Sequence, residues 1–404
     1  MITLRTKMLP GMILLMTLLA CTVESPFTPT IPPAGGPTLT SSPTPMLVNP
    51  TATETASPAT PTATATGPAL AAFPAPAIQY LDMLDGNNGW ALTDADVARS
   101  LDGGSSWCKV TPAGLTGGIA EAFFLDASTG WVRKMGADPT SGTLYHTTDG
   151  GVTWTAATVP FGGGSLHFVD AMHGWELVGL NAGMSHESVA IFRSDDGGAS
   201  WTRVFINEPA APGSSDSLPL VGDKNGITAL DDKRGWVTGS QPSDDFIYVY
   251  MTQDGGSTWA HQTLSIPPGF SPTQSSTNLP VFFGNNEGVL PVLLFSNSNG
   301  ADFYVSQDGG QTWKATTPVL QGGYMMAASA KDFFVWDGGT LLNASHDAGA
   351  SWATITPNIN IKDSLVSVQF VNASTGWALT SDASSHHMLY KTSDGGATWS
   401  VLIP

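Results

Sequence analysis

The sequence predicts an all-β protein, a seven-bladed β-propeller of four-stranded antiparallel blades. Three observations predict it. An eight-residue motif, [ST]-x-D-x-G-x-[ST]-W, recurs seven times at intervals of 39 to 58 residues, a period that marks arrays of supersecondary units. A second pattern, a strand opening with Gly-Trp, precedes most copies of the first. Charged residues form only 12% of the chain while Gly and Pro number 45 and 29, a composition dense in turns and too poor in charge to cover exposed helices. A helical bundle is excluded.

The seven motif copies end at Trp107, Trp154, Trp201, Trp259, Trp313, Trp352 and Trp399, and place Asp102, Asp149, Asp196, Asp254, Asp308, Asp347 and Asp394 at their third position. Such an Asp can accept backbone N–H bonds of its own turn. Gly supplies positive φ, and the Ser or Thr hydroxyls close the loop. Recurrence in every unit therefore predicts a structural turn rather than a metal or catalytic site. The Gly-Trp strands contribute Trp90, Trp131, Trp175, Trp236 and Trp377; unit five substitutes Gly288-Val289, and unit six offers Trp336. All thirteen tryptophans are thereby assigned to the repeat, which leaves none over as a sugar-stacking platform.

Each unit reads as an inner strand, the Gly-Trp strand, a strand entering the motif and a strand leaving it. Residues 77–404 divided by seven give about 47 residues per unit, the length of a four-stranded propeller blade. The order implies ring closure by packing of the last blade on the first, without an exchanged strand.

The segment before the repeats reads as an address and a tether. Residues 1–20 carry Arg5 and Lys7 and then an apolar run too short to span a bilayer but right for a signal-peptide core. The run ends in Leu18-Leu19-Ala20-Cys21, which resembles the bacterial lipobox and implies lipidation of Cys21. Residues 21–76 follow, with thirteen prolines and thirteen threonines after the cysteine. They cannot bury enough apolar surface to offset chain entropy, and form a disordered stalk. The expected location is the outer face of the cytoplasmic membrane, with the membrane met through the lipid anchor.

The repeats resemble those of the Asp-box (bacterial neuraminidase repeat) propellers. The combined Gly-Trp and Asp-box unit looks most like the photosystem II stability/assembly-factor group, in which the resemblance implies a non-enzymatic scaffold on a membrane face. Sialidases share the repeat. Sialidase chemistry needs three arginines converging on a carboxylate, yet the repeat domain holds only Arg99, Arg133, Arg193, Arg203 and Arg234, none on a segment read as an inner strand. The Phe-Arg-Ile-Pro signature of that family has no match.

A formal charge of -18, from 15 Lys and Arg against 33 Asp and Glu, repels a phosphate backbone and excludes nucleic acid as a partner. A further row of carboxylates, Asp85, Asp126, Asp170 and Asp231 with Asn372, stands five residues before the strand tryptophans and reads as turn openings. No cofactor or metal is implied. Cys108, after the first Asp-box, reads as an incidental thiol. Loops opposite the boxes vary in length, longest in blades three to five, and carry the candidate binding residues His186, Glu187, Phe246, Tyr248, Phe270, Asn297, Asn299 and Asp302; variable loops on a rigid frame are where binding residues concentrate. The expected function is a monomeric, non-catalytic binding or assembly scaffold for a protein or glycan partner, the alternative a glycan-active enzyme on the same propeller.

Overall fold

The computed structural model describes Phe73 and residues 77–403, apart from 139, 184–185 and 296–298. The signal segment, Cys21, most of the stalk and Asn297 lie outside the described residues. Among the described residues the regular elements are strands, paired antiparallel. Five sheets have four strands each in chain order, and a sixth has nine. The nine-stranded sheet contains two further four-stranded units, joined by a short strand, Gln274–Thr277, that pairs with Ser240–Pro242 on one side and Val292–Phe295 on the other. The grouping matches one four-stranded blade per Asp-box.

The Gly-Trp strands show why two residues recur together. In the second blade Gly130–Met135 begins beneath the inner-strand ring of Phe124, and a Cβ on Gly130 would lie 2.5 Å from that ring. The following Trp131 then turns toward the third blade. It is fully buried, stacks on Phe168 at 3.7 Å between centroids, and donates its indole N–H to the carbonyl of Gly197 at 2.8 Å. Trp90 does the same one blade earlier, stacking on Phe124 at 4.6 Å and donating to Asp126 O at 3.1 Å. Each such ring removes about 200 Å² from water, which stabilises a blade seam by about 5 kcal/mol.

In the sixth blade the sequence expectation needs correction. The register Met326↔Phe334 is the counterpart of Asp82↔Trp90, so Phe334, not Trp336, occupies the seam position, and it stacks on Phe370 at 3.9 Å. Trp336 lies two residues further along and stacks on Trp399 at 5.1 Å. Three aromatic residues in one strand, Phe333, Phe334 and Trp336, made the alignment ambiguous.

The ring closes without strand exchange. Met83, Ala91, Ala98 and Trp107 of the first blade share one apolar cluster with Trp377, Leu379 and Leu389 of the last. The Gln369 side chain accepts from Met83 N at 2.8 Å and donates to Met83 O at 3.0 Å, imitating the missing strand edge. Phe73, which the sequence boundary at residue 77 assigns to the stalk, packs on this seam and donates its N–H to Trp107 O at 2.8 Å.

Candidate functional site

The seven Asp-boxes are structurally equivalent. In each, the Asp Oδ1 accepts the N–H of the Ser or Thr four residues on at 2.8–2.9 Å, and Oδ2 accepts that residue's hydroxyl at 2.5–2.6 Å. The Ser or Thr that opens the box accepts the second glycine's N–H at 2.8–3.0 Å. The residue after each Asp, at positive φ (Gly103 at 72°, Ala348 at 59°), donates to a carbonyl of the turn between the blade's first two strands. Both carboxylate oxygens are thus spent on the turn itself.

The second row of carboxylates is spent too. Asp85, Asp126, Asp170, Asp231 and Asn372 each accept two backbone N–H groups of the turn they open. These turns meet the boxes on one face of the ring. Among the described residues no group of three or more His, Cys, Asp or Glu side chains converges as a metal site. Cys108 is a half-buried free thiol.

On the first two strands of blades one to three the structure assembles a group that no sequence motif announces. Arg133, on the second strand of blade two, is fully buried and pairs with Glu121 of its own inner strand at 2.5 Å and with Glu176 of blade three. Glu121 Oε1 also accepts the Leu166 N–H at 2.6 Å, which ties the inner strands of blades two and three together. Burial pushes both carboxyls up, Glu121 being raised further by Glu176, while Arg133 opposes the rise. Asp82 is 1% exposed, and burial pushes its carboxyl up to about 7 against a hydrogen bond from Gln369. His167, buried and pushed down to about 4, meets Ala229 O at 2.9 Å. No local pattern announces this cluster, because Glu121 and Arg133 meet across a strand pair and Glu176 comes from the next blade.

The candidate loop residues divide into surface and core. His186 and Asn299 are exposed, Glu187, Phe246 and Phe270 partly buried. Tyr248 and Asp302 are fully buried and do not face a partner, contrary to the sequence expectation. Tyr248 lies past the hairpin tip, on the way into its blade's third strand, and Asp302 accepts the Thr316 hydroxyl at 2.9 Å inside the fifth blade. Burial pushes the Asp302 carboxyl up to about 7.

Lys224 organises the others. Its ammonium donates to the carbonyls of Glu187, Leu220 and Gly222 at 2.8–2.9 Å and lies 5.8 Å over the Tyr248 ring. Tyr248 touches Phe246, which stacks on His261 at 4.7 Å. A continuous set of contacts therefore runs from Glu187 in blade three to His261 in blade four. Beside it, the 207–222 connection borders an open depression of 610 Å³ lined by Asn207, Pro209 and Ser214–Asp216, with Pro219 and Leu220. The 264–278 segment contains the strand that bridges blades four and five and is correspondingly fixed.

The family model of the BNR/Asp-box repeat matches residues 304–315, in the fifth blade. The chain is an Asp-box β-propeller. A xyloglucanase of Paenibacillus sp. is 28% identical to it over 163 residues, which are 34% of this chain and 16% of that enzyme's length. Among solved structures, the xyloglucanase of Xanthomonas campestris superposes with a TM-score of 0.52 at 13% identity, over 79% of this chain and 53% of that chain. YCF48 bound to D1 peptide gives 0.42 at 19% identity, over 70% and 81%. The Xanthomonas superposition shows a shared propeller fold.

Proposed function

We propose that this Asp-box propeller is a binding or assembly scaffold held outside the cell by a lipid on Cys21 and a stalk over 21–76, and that it engages a protein partner through the loop face of blades three and four. The observation that carries the proposal is the engagement of the buried carboxylates on the first two strands of blades one to three. Asp82, Glu121 and Glu176 are 1%, 6% and 0% exposed, and two of them are clamped by Arg133. A glycosidase needs two carboxyl groups open to the sugar, about 5 to 9.5 Å apart. Here these acids hold blades together instead. The loop face, by contrast, offers a depression beside a hairpin fixed by Lys224, a rigid frame for recognition.

The test uses the full chain in its membrane. A photo-crosslinking residue replaces His186 in one variant and the box-face residue Ser257 in a second. The scaffold assignment expects one discrete protein adduct from position 186, none from 257, and a diacylglyceryl mass on the N-terminal Cys21. A glycan-active enzyme is the second reading, motivated by the 28% identity to a xyloglucanase. Release of reducing sugar from xyloglucan, lost in Glu121→Gln while the protein stays folded, would establish that reading and overturn the scaffold.

A further inference from the structure

A cavity of 270 Å³ opens between the inner strands of the first and second blades, away from the loops of blades three and four. Leu92 and Ile119 supply apolar walls, Gln79 and Thr93 a polar rim, and Tyr80 and Glu121 line it from opposite blades. We infer that this cavity receives a single cationic side chain, a lysine ammonium or an arginine guanidinium, presented by a protein partner. The inference rests on the scaffold assignment and names a second contact that the scaffold makes.

Charge balance supports a cation. Asp82 follows Tyr80 by two residues on one strand, so both project from the same face; Asp82 is buried, with Oδ2 unpartnered. Across the cavity, Arg133 is the one base for both Glu121 and Glu176. Glu121, the acid that borders the cavity, therefore shares its one base with a second acid. At the rim, Asp94 accepts from the Gln79 amide at 2.5 Å and, among the described residues, has no ion-pair partner. Lysines of the same two blades have partners of their own: Lys109 pairs with Asp96 at 2.6 Å, and Lys134 donates to Thr116 Oγ1 at 3.3 Å. The apolar walls suit a methylene stem, as long cationic side chains lay their stems on apolar surface and direct the charge to polar groups.

Binding is coupled to protons. The titratable and charged groups that act on Glu121 are Tyr80 from blade one, Arg133 from its own blade and Glu176 from blade three. Burial raises the Tyr80 hydroxyl, and Asp82 and Glu121 raise it further, so the phenol stays neutral. Burial likewise raises Asp82, Glu121 and Glu176. A cation in the cavity favours their ionised forms, so binding releases protons and tightens as pH rises from 6 to 8.

The experiment titrates the full, isotope-labelled chain with a blocked Gly-Arg-Gly peptide and with its citrulline counterpart, which keeps the shape and removes the charge. The arginine peptide should move the amide signals of Gln79, Tyr80, Asp94, Ala120 and Glu121, bind about tenfold more tightly than the citrulline peptide, and bind more tightly at pH 8 than at pH 6. Ala120→Trp, at an exposed position on the cavity edge, should abolish those shifts without lowering the melting temperature, and Asp94→Asn should weaken them. Equal binding of the two peptides, shifts confined to other blades, no shifts at millimolar peptide, or displacement by methyl glucoside would each overturn the assignment. If the partner adduct from position 186 survives while the cavity fails these tests, the cavity inference alone is wrong.

Discussion

The indole N–H of Trp377 donates to the carbonyl oxygen of Gly103 at 3.0 Å, across 274 residues of sequence. The same carbonyl receives the Lys391 ammonium at 3.3 Å, and that ammonium lies 4.9 Å over the Trp377 ring. The last blade thus grips the first Asp-box by the contact that Trp131 makes with Gly197 inside the ring. Closure repeats the ordinary seam, with Gln369 added at the inner edge.

Trp377→Phe keeps an aromatic ring and removes the bond to Gly103. Urea unfolding should show a loss of about 1 to 2 kcal/mol, against about 3 to 5 kcal/mol for Trp377→Ala, which also leaves a cavity. Equal losses in the two variants would mean that the hydrogen bond contributes nothing to closure.

The Asp-boxes set the acid limit of the fold. Bonds from the Ser351 hydroxyl and N–H, with the Ser345 hydroxyl, hold the Asp347 carboxyl at about 2. In the other six boxes slight burial raises the carboxyl, and the equivalent bonds outweigh it, so each lies below its ordinary value. A depressed folded value gives stability that is complete above the unfolded pKa near 4 and lost as pH falls through the folded one. Unfolding followed by tryptophan fluorescence should therefore set in between about pH 4 and 2. Asp149→Asn should move that onset to higher pH than in the parent.

The period and chemistry of the boxes made the blade count, the turn face and the seam tryptophans legible in the sequence, because a local turn needs the same residues wherever it occurs. Long-range pairings were not legible in this way. Nothing local distinguishes Arg133 and Glu121 from exposed charges on a strand, and the partner Glu176 comes from another blade. Tyr248 looked like a loop aromatic because the hairpin boundary falls between it and Phe246. The bridging strand Gln274–Thr277 is made of Gln, Ser and Thr, residues that read as loop when their burial is unknown.

Asp302→Asn should stabilise the protein above neutral pH. Burial raises the Asp302 carboxyl to about 7, so its contribution is complete below the unfolded pKa near 4 and is lost as pH rises through about 7. The amide keeps an oxygen for the Thr316 hydroxyl and carries no charge. Thermal melts should show little change at pH 5 and a higher Tm for the variant at pH 8, on the order of 1.4 kcal/mol for each pKa unit of the shift. A lower Tm at pH 8 would mean that the ionised carboxylate has a partner inside the blade.

Arg133→Met removes the one base from the Glu121 and Glu176 pair. Breaking a buried ion network from one side costs about 3 to 5 kcal/mol, because the remaining charges lose their partner. The loss should be larger at pH 8 than at pH 5, where both carboxyls can hold protons. Adding Glu121→Gln and Glu176→Gln to Arg133→Met should recover much of the stability, and a triple variant no more stable than the single one would refute a purely electrostatic penalty.

Replacing 264–278 with a Gly-Ser turn tests whether blades four and five behave as one cooperative unit. The strand Gln274–Thr277 pairs with three residues of blade four and four of blade five. Ser275 and Thr277 are fully buried, and the Ser275 hydroxyl donates to Phe246 O at 2.7 Å. Phe270, half-buried, packs on the core cluster that joins these blades, and a Cβ on Gly300 would meet its ring at 2.4 Å. Seven lost backbone pairs at about 1 kcal/mol per bond, together with the exposed apolar surface, amount to a loss on the order of 5 kcal/mol or more. The effect should also be local. Native-state hydrogen exchange should accelerate most at Val249–Thr252 and Val292–Leu294, while amides of the second blade, including Trp131 and Val132, keep their protection. A loop outside the sheet would give the opposite result, an unchanged melting temperature with exchange altered only at the excised ends, and the two blades would then be coupled by their seam alone.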